Sequence, residues 1–144
     1  MPGVGPSPKP LLLLHGWPGS VFEFIEIIPR LTDPARFGGK AEDAFTVIAP
    51  SLPGYGLSFT PNQKRFTIPD IADCFASLMT DVLGYRKFGA QGGDWGAFVA
   101  AQLGHKHADK VIGVHLHLAA PLDLFTGGAP RPEDYDPDEQ AWLR

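Results

Sequence analysis

Residues 87–106 decide the fold and read KFGAQGGDWGAFVAAQLGHK. The segment opens with a short predicted strand over residues 87–91, and residues 95–106 carry apolar side chains at helical spacing. Glycines flank Asp94 on both sides, so the chain can turn tightly from strand to helix and leave the Asp94 side chain above the sheet. The packing face predicted for this helix consists of Phe98, Val99 and Leu103.

Three more apolar runs predict strands on either side of this segment, over residues 11–14, 45–49 and 111–118. Helical patterns separate the strands, so the predicted order of elements is β-α-β-α-β-α-β. Connections of helix length between strands are typical of a parallel sheet with right-handed crossovers. The predicted fold class is therefore α/β, a parallel sheet flanked by helices.

Caps and apolar spacing predict the two remaining helices. The first follows Ser20, and Pro29 is expected to kink or shorten it because proline has no N–H to donate. Its apolar positions are Phe24, Ile25, Ile28 and Leu31. The second opens at Thr67, which forms a capping pattern with Asp70, and Gly84 is its expected stop. Its predicted core-facing stripe consists of Ile71, Phe75, Leu78, Met79 and Val82.

Composition and charge narrow the range of functions. The chain has 144 residues, of which 44% are hydrophobic, and this suits one globular domain. The formal net charge of −4 excludes a nucleic-acid binder that works through a basic surface. Cys74 is the single cysteine, and the apolar run at residues 11–14 is too short to span a bilayer or to form a signal-peptide core. A cytoplasmic protein without a membrane-spanning segment is therefore expected.

Reactive chemistry is expected at the carboxyl ends of the strands, where open parallel sheets bind ligands. Asp94 lies there, and an aspartate that is ionised at neutral pH can attack an electrophilic carbon without help from a base. The product is an alkyl ester of Asp94, and its hydrolysis by water generates an oxyanion that needs N–H donors. The predicted donors are the backbone N–H groups of Trp95, which follows Asp94, and of Trp17, in the loop after the first strand.

Three motifs support this chemistry: HGWPGS at residues 15–20, LPGYGLS at residues 52–58 and GGDWG at residues 92–96. In this order and spacing they resemble the α/β-hydrolase-fold epoxide hydrolases, especially the microsomal-type branch. The resemblance extends over about residues 9–121. A lone G-x-D-x-G pattern would be far less specific than the three motifs together.

The resemblance implies roles for five residues. Asp94 is the nucleophile that opens an epoxide, and the backbone N–H groups of Trp17 and Trp95 form the oxyanion hole. Pro18 shapes the oxyanion loop, and Tyr55 belongs to the loop that lines the floor of the substrate cavity. The resemblance further implies the sheet order 2-1-3-4 and hydrolysis of a small apolar epoxide by water to a vicinal diol, without metal or other cofactor.

The same resemblance implies parts that this chain lacks. In the family, two tyrosines of a cap domain polarise the epoxide oxygen and a late histidine activates water, and the first strands of the fold precede the region seen here. A partial α/β-hydrolase fold is therefore expected, without the first strands, the cap and the last strands. Its segments are a Pro/Gly-rich lead over residues 1–10, a core over residues 11–118 and an acidic, Pro/Gly-rich tail over residues 119–144, leading toward the absent cap. His117 replaces an asparagine usual in the family and is a candidate for the water-activating base.

Two other functions remain open at this point. A haloalkane dehalogenase uses the same aspartyl ester on a carbon–halogen bond, although its residue corresponding to Trp17 is usually asparagine. A truncated or degenerate hydrolase without turnover is the other alternative, because the ester would persist if no group activated water.

The remaining histidines are expected to have structural roles. His15 is expected to order its own loop through hydrogen bonds rather than to act as a base. Two His-X-His pairs lie near the fourth strand, but no carboxylate or cysteine accompanies them at ligand spacing, so no metal site is predicted. These pairs are His105 with His107 and His115 with His117.

Overall fold

A computed structural model of the protein describes residues 1–119 and 136–137. Its strands are β1 Lys9–Leu14, β2 Phe45–Ile48, β3 Phe88–Gly92 and β4 Val111–Leu116. They form one parallel sheet with the order β2-β1-β3-β4, which confirms the predicted fold class and strand order. Leu14 pairs with Gly92 at the ends of β1 and β3, so the loops that follow these two central strands begin side by side.

Helices cover both faces of the sheet. They are α1 Ile28–Thr32, α2 Ile68–Ser77 and α3 Trp95–Lys106. Because side chains alternate along a strand, Leu12 and Leu14 pack on one face with α2 and α3, while Leu13 packs on the other face with Phe24 and Val47 beside α1. The bounds of α3 are those predicted from the sequence.

The first helical region differs from the prediction of one kinked helix. It consists of a 3₁₀ turn, Val21–Phe24, and the separate helix α1, in which Pro29 is one of the first residues. A continuous helix would place the proline ring against the carbonyl of Ile25, whereas in a first turn proline costs no hydrogen bond. Ser20 caps the 3₁₀ turn, because its hydroxyl accepts the N–H of Phe22 at 3.3 Å.

The predicted stripe on the second helix is correct except at its end. Thr67 and Asp70 form the predicted capping box at the start of α2, and the Thr67 hydroxyl bond holds the pKa of Asp70 below its ordinary value. Met79 is fully buried, but Val82 is 73% exposed. A π-helical turn, Leu78–Val82, follows α2, and its wider turn rotates Val82 out of the stripe. The prediction that Val82 belongs to the core is therefore wrong.

The ends of the strands also differ slightly from the predictions. β1 begins at Lys9, within the predicted lead, and β4 ends at Leu116 rather than at residue 118. The predicted tail over residues 119–144 lies almost entirely outside the described residues. None of the helices among the described residues combines the length and the apolar character that a bilayer span requires.

Candidate active site

Asp94 lies on a strained turn between β3 and α3. Its φ of 49° and ψ of −127° place it in a region that residues other than glycine rarely adopt, and α3 begins at the next residue. Backbone strain of this kind costs on the order of 1–3 kcal/mol and is concentrated at functional sites. The turn also places the Asp94 carboxylate near the N-terminal end of α3, where the helix dipole favours negative charge.

Glycines around this turn are required by close contacts. A Cβ atom at Gly92 would overlap the carbonyl of Gly96, and a Cβ atom at Gly96 would overlap the carbonyl of Leu14. A Cβ atom at Gly16, in the loop after β1, would overlap the Cβ atom of Asp94 itself. The loop after β1 and the turn after β3 are therefore packed directly against each other.

One hydrogen bond joins these two segments at the predicted nucleophile. The backbone N–H of Trp17 donates to Asp94 Oδ1 at 2.7 Å, a length typical of a charge-assisted bond. The Trp17 side chain is 66% exposed, so the contact with Asp94 comes from the backbone and not from the indole. The structure thus brings together Asp94 and the first of the two predicted oxyanion donors.

Trp95 and Pro18 also lie beside the nucleophile. Trp95 is the first residue of α3, and its indole packs at a tilt against Phe98 with the ring centroids 6.0 Å apart. Pro18 follows Trp17 through a cis peptide bond, directly after the N–H donor.

Tyr55 belongs to the loop after β2. It lines a groove of about 390 Å³ that also contains Trp95, Phe66, Ile71 and Val99. Most of the groove surface is apolar, and three of its lining side chains are aromatic. Tyr55, which is predicted to contact substrate, and Trp95, which follows the nucleophile, therefore line the same apolar groove.

His15 links two of these loops. It is fully buried, its Nδ1 lies 3.0 Å from the carbonyl oxygen of Gly16, and its Nε2 accepts the backbone N–H of Leu52 at 3.0 Å. Its ring also meets the Tyr55 ring edge-on, with centroids 5.3 Å apart. The first bond agrees with the expectation that His15 orders its own loop. The bond to Leu52 was not predicted, because nothing in the sequence indicates which backbone group lies opposite a residue 37 positions away.

The side chains of His115, in β4, and His117, just after it, lie on the same face of the sheet, as predicted from their alternation. Their rings meet at a right angle with centroids 5.0 Å apart, and His117 Nε2 lies 3.5 Å from the amide nitrogen of Gln91. A Cβ atom placed on Gly93 would be 3.5 Å from His117 Nδ1, so this imidazole lies against the residue that precedes Asp94. The structure therefore brings His117, the candidate base, to the nucleophile turn.

His107 has a separate structural role away from the site. On α2, Asp73 Oδ2 accepts a hydrogen bond from Lys106 Nζ at 2.7 Å, and Asp73 Oδ1 lies 2.8 Å from His107 Nε2. The Lys106 bond, followed by the His107 bond, holds the pKa of the Asp73 carboxyl below its ordinary value. These contacts fasten α2 to the end of α3. Among the described residues, no group of three or more potential ligands is placed to hold a metal ion.

Comparison with known proteins places this architecture in a family. The profile described as alpha/beta hydrolase fold matches residues 9–141, and the chain belongs to that family. A Stigmatella aurantiaca protein provisionally named an epoxide hydrolase is 52% identical over 134 residues, 93% of this chain and 29% of that protein. "Epoxide hydrolase 1" of Oryctolagus cuniculus is 49% identical over 115 residues, 80% of this chain and 25% of that protein.

A solved structure that resembles this chain is also an epoxide hydrolase. The juvenile hormone epoxide hydrolase of the silkworm Bombyx mori superposes with a TM-score of 0.69 at 38% identity, covering 92% of this chain and 35% of that one. The resemblance read from the three motifs is therefore confirmed. The chain spans less than a third of the length of the two sequence relatives that it matches.

Proposed function

We propose that this chain carries the nucleophile and oxyanion loop of an enzyme that hydrolyses an epoxide to a vicinal diol through an ester of Asp94. The observation that carries the proposal is the bond from the Trp17 N–H to Asp94 Oδ1 at 2.7 Å, on a turn that presents the carboxylate at the carboxyl end of the sheet. The names of the relatives support an epoxide as the substrate class.

In the first step, Asp94 Oδ2 attacks a ring carbon of the epoxide. The new C–O bond forms as the ring C–O bond breaks, and the ring oxygen takes a proton from solvent water and becomes a hydroxyl. Because Trp17 holds Oδ1, the carboxylate is oriented with its other oxygen available for attack. The groove lined by Tyr55 and Trp95 is suited to the apolar substituent of the substrate.

In the second step, water attacks Cγ of the Asp94 ester. The carbonyl oxygen of that ester becomes the oxyanion, and for Oδ1 the Trp17 N–H is already at hydrogen-bond distance. Removing one such donor from an oxyanion hole costs about 10²–10³ in rate. The Trp95 N–H, in the first turn of α3, is the second proposed donor.

Hydrolysis of the ester also needs a group that takes a proton from water. Among the described residues, His117 is the imidazole that lies against the nucleophile turn, and it is the base we assign to this step. It would receive one proton of the water as hydroxide adds to Cγ, and would return that proton to the alkoxide oxygen as the ester C–O bond breaks and the diol leaves. The other proton of the water is lost to solvent when the carboxyl group of Asp94 ionises again.

The test is the amount of diol released per mole of the 144-residue chain from a simple aryl epoxide. Release that depends on Asp94 supports the proposal, and Asp94→Ala should abolish it. Asp43→Ala is the matched control, because Asp43 is an exposed carboxylate in a surface turn, and it should behave as wild type. Diol formation that is unchanged in Asp94→Ala would contradict the proposal. Halide release from a haloalkane in place of diol would instead indicate a dehalogenase.

A further inference from the structure

His15 is a buried group that the proposed reaction does not use directly. It is fully buried at the end of β1, and neither of its ring nitrogens faces the substrate groove. Two hydrogen bonds of 3.0 Å and an edge contact with Tyr55 fix its orientation. A polar ring with such complete burial and such defined partners is suited to hold neighbouring backbone in place.

The partners of His15 determine its tautomer. The backbone N–H of Leu52 can only donate, so Nε2 must be the ring nitrogen without a proton. The proton of the neutral ring is therefore on Nδ1, which donates to the carbonyl oxygen of Gly16.

The carbonyl that His15 holds belongs to the same peptide group as the oxyanion donor. Gly16 supplies the C=O and Trp17 supplies the N–H, and this peptide group is trans. A trans peptide group is planar and directs its oxygen and its N–H to opposite sides. Fixing the Gly16 oxygen on the His15 side therefore directs the Trp17 N–H toward Asp94, where it donates at 2.7 Å. A hydrogen bond to the carbonyl also polarises the peptide and strengthens its N–H as a donor.

We propose that His15 is the positioning residue of the oxyanion donor, and that its Nδ1–H fixes the Gly16–Trp17 peptide group against Asp94. The inference rests on the proposed role of Asp94. The bond from Leu52 to Nε2 then has a defined purpose, because it keeps the proton on the nitrogen that faces Gly16.

Two substitutions separate the two hydrogen bonds of the ring. In His15→Asn the side-chain amide can reach the position of Nδ1 and donate to Gly16, but it does not reach Leu52. In His15→Gln the longer side chain can reach the position of Nε2, where its amide oxygen can accept the N–H of Leu52. It does not donate to the Gly16 carbonyl, which therefore loses its hydrogen bond from this side chain. Ser51→Ala is the matched control, because the buried Ser51 hydroxyl accepts the N–H of Leu57 in the same loop as Leu52.

The rate readout is the release of a preformed Asp94 ester by hydroxylamine, which passes through the same oxyanion and needs no base from the protein. We expect His15→Gln to slow release about tenfold or more and His15→Asn to stay within about twofold of wild type, since misdirecting a donor forfeits part of its contribution. Ser51→Ala should lower the melting temperature without changing release. Equal slowing in both His15 variants, in proportion to their loss of melting temperature, would overturn the proposal.

The spectroscopic readout is nuclear magnetic resonance of the ¹⁵N-labelled chain. We expect a proton on Nδ1 of His15 in the wild type, and a Trp17 amide resonance that moves in His15→Gln but not in His15→Asn. A proton on Nε2 would overturn the proposal without reference to any variant. If the wild type forms no ester, the proposed function fails, whereas the tautomer and the Trp17 resonance still decide whether His15 positions the donor.

Discussion

Gly16→Ala is the substitution that most directly disturbs the proposed nucleophile without changing it. The new Cβ atom would overlap the Cβ atom of Asp94 and would lie 2.6 Å from its Oδ1, whereas ordinary contact begins at 3.4 Å. The whole Asp94 side chain, including its Cβ atom, must therefore move by at least about 0.8 Å, and a misplacement of about 1 Å can cost about 10² in rate. We expect ester formation with an aryl epoxide to slow by about that factor.

The assay is the rate of mass gain of the intact chain at a temperature well below its melting point. Gly113→Ala is the matched control, because a Cβ atom there meets nothing within 4 Å, and its rate should equal that of wild type. Circular dichroism would establish that both variants are folded. A folded Gly16→Ala chain that forms the ester at the wild-type rate would refute the reasoning, because the loop after β1 would then not constrain the nucleophile.

The remaining predictions concern the base, the core and a surface ion pair. His117→Gln should form the ester at the wild-type rate but hydrolyse it about 10²-fold more slowly, which is the lower end of the range for loss of a general base. An unchanged rate of ester hydrolysis in single-turnover measurements would exclude His117 as the base. Met79→Ala should lower the free energy of unfolding by about 2–5 kcal/mol, whereas Val82→Ala should change it by less than about 0.5 kcal/mol in urea titrations, because only Met79 is buried. Equal losses would mean that Val82 packs in the core. Because Lys106 lowers the pKa of Asp73, the pair stabilises the fold above the ordinary carboxyl pKa of 3.8 and loses this contribution as the pH falls through the lower folded value. Asp73→Asn should therefore flatten the acid side of the stability–pH profile, and an unaltered profile would show that the pair contributes nothing.

Local signals in the sequence predict the parts of the molecule that local chemistry determines. The turn at Asp94 and the helix after it follow from glycines and apolar spacing within about ten residues. The capping box of Thr67 and Asp70 is equally local, and the structure contains it. The parallel order of the strands follows from connection lengths and from the motifs shared with the family.

The parts that the sequence did not predict depend on how the backbone is arranged beyond a single turn. Pro29 indicates a break, but the position at which the chain resumes as α1 depends on its packing against the sheet. The π-helical turn that exposes Val82 leaves no pattern in the residues themselves. Likewise, the contact of His15 with Leu52 exists only because β1 and β2 are neighbours in the sheet.

Asp94 is the proposed nucleophile, and peptide mapping of the modified chain tests this role most directly. The chain is incubated with an aryl epoxide, its intact mass is measured, and the modified peptide is sequenced by mass spectrometry. We predict a gain of one epoxide mass on the Asp94 carboxylate and no gain in Asp94→Ala. The same gain in Asp94→Ala, or a modification that maps to another residue, would rule out Asp94 as the nucleophile.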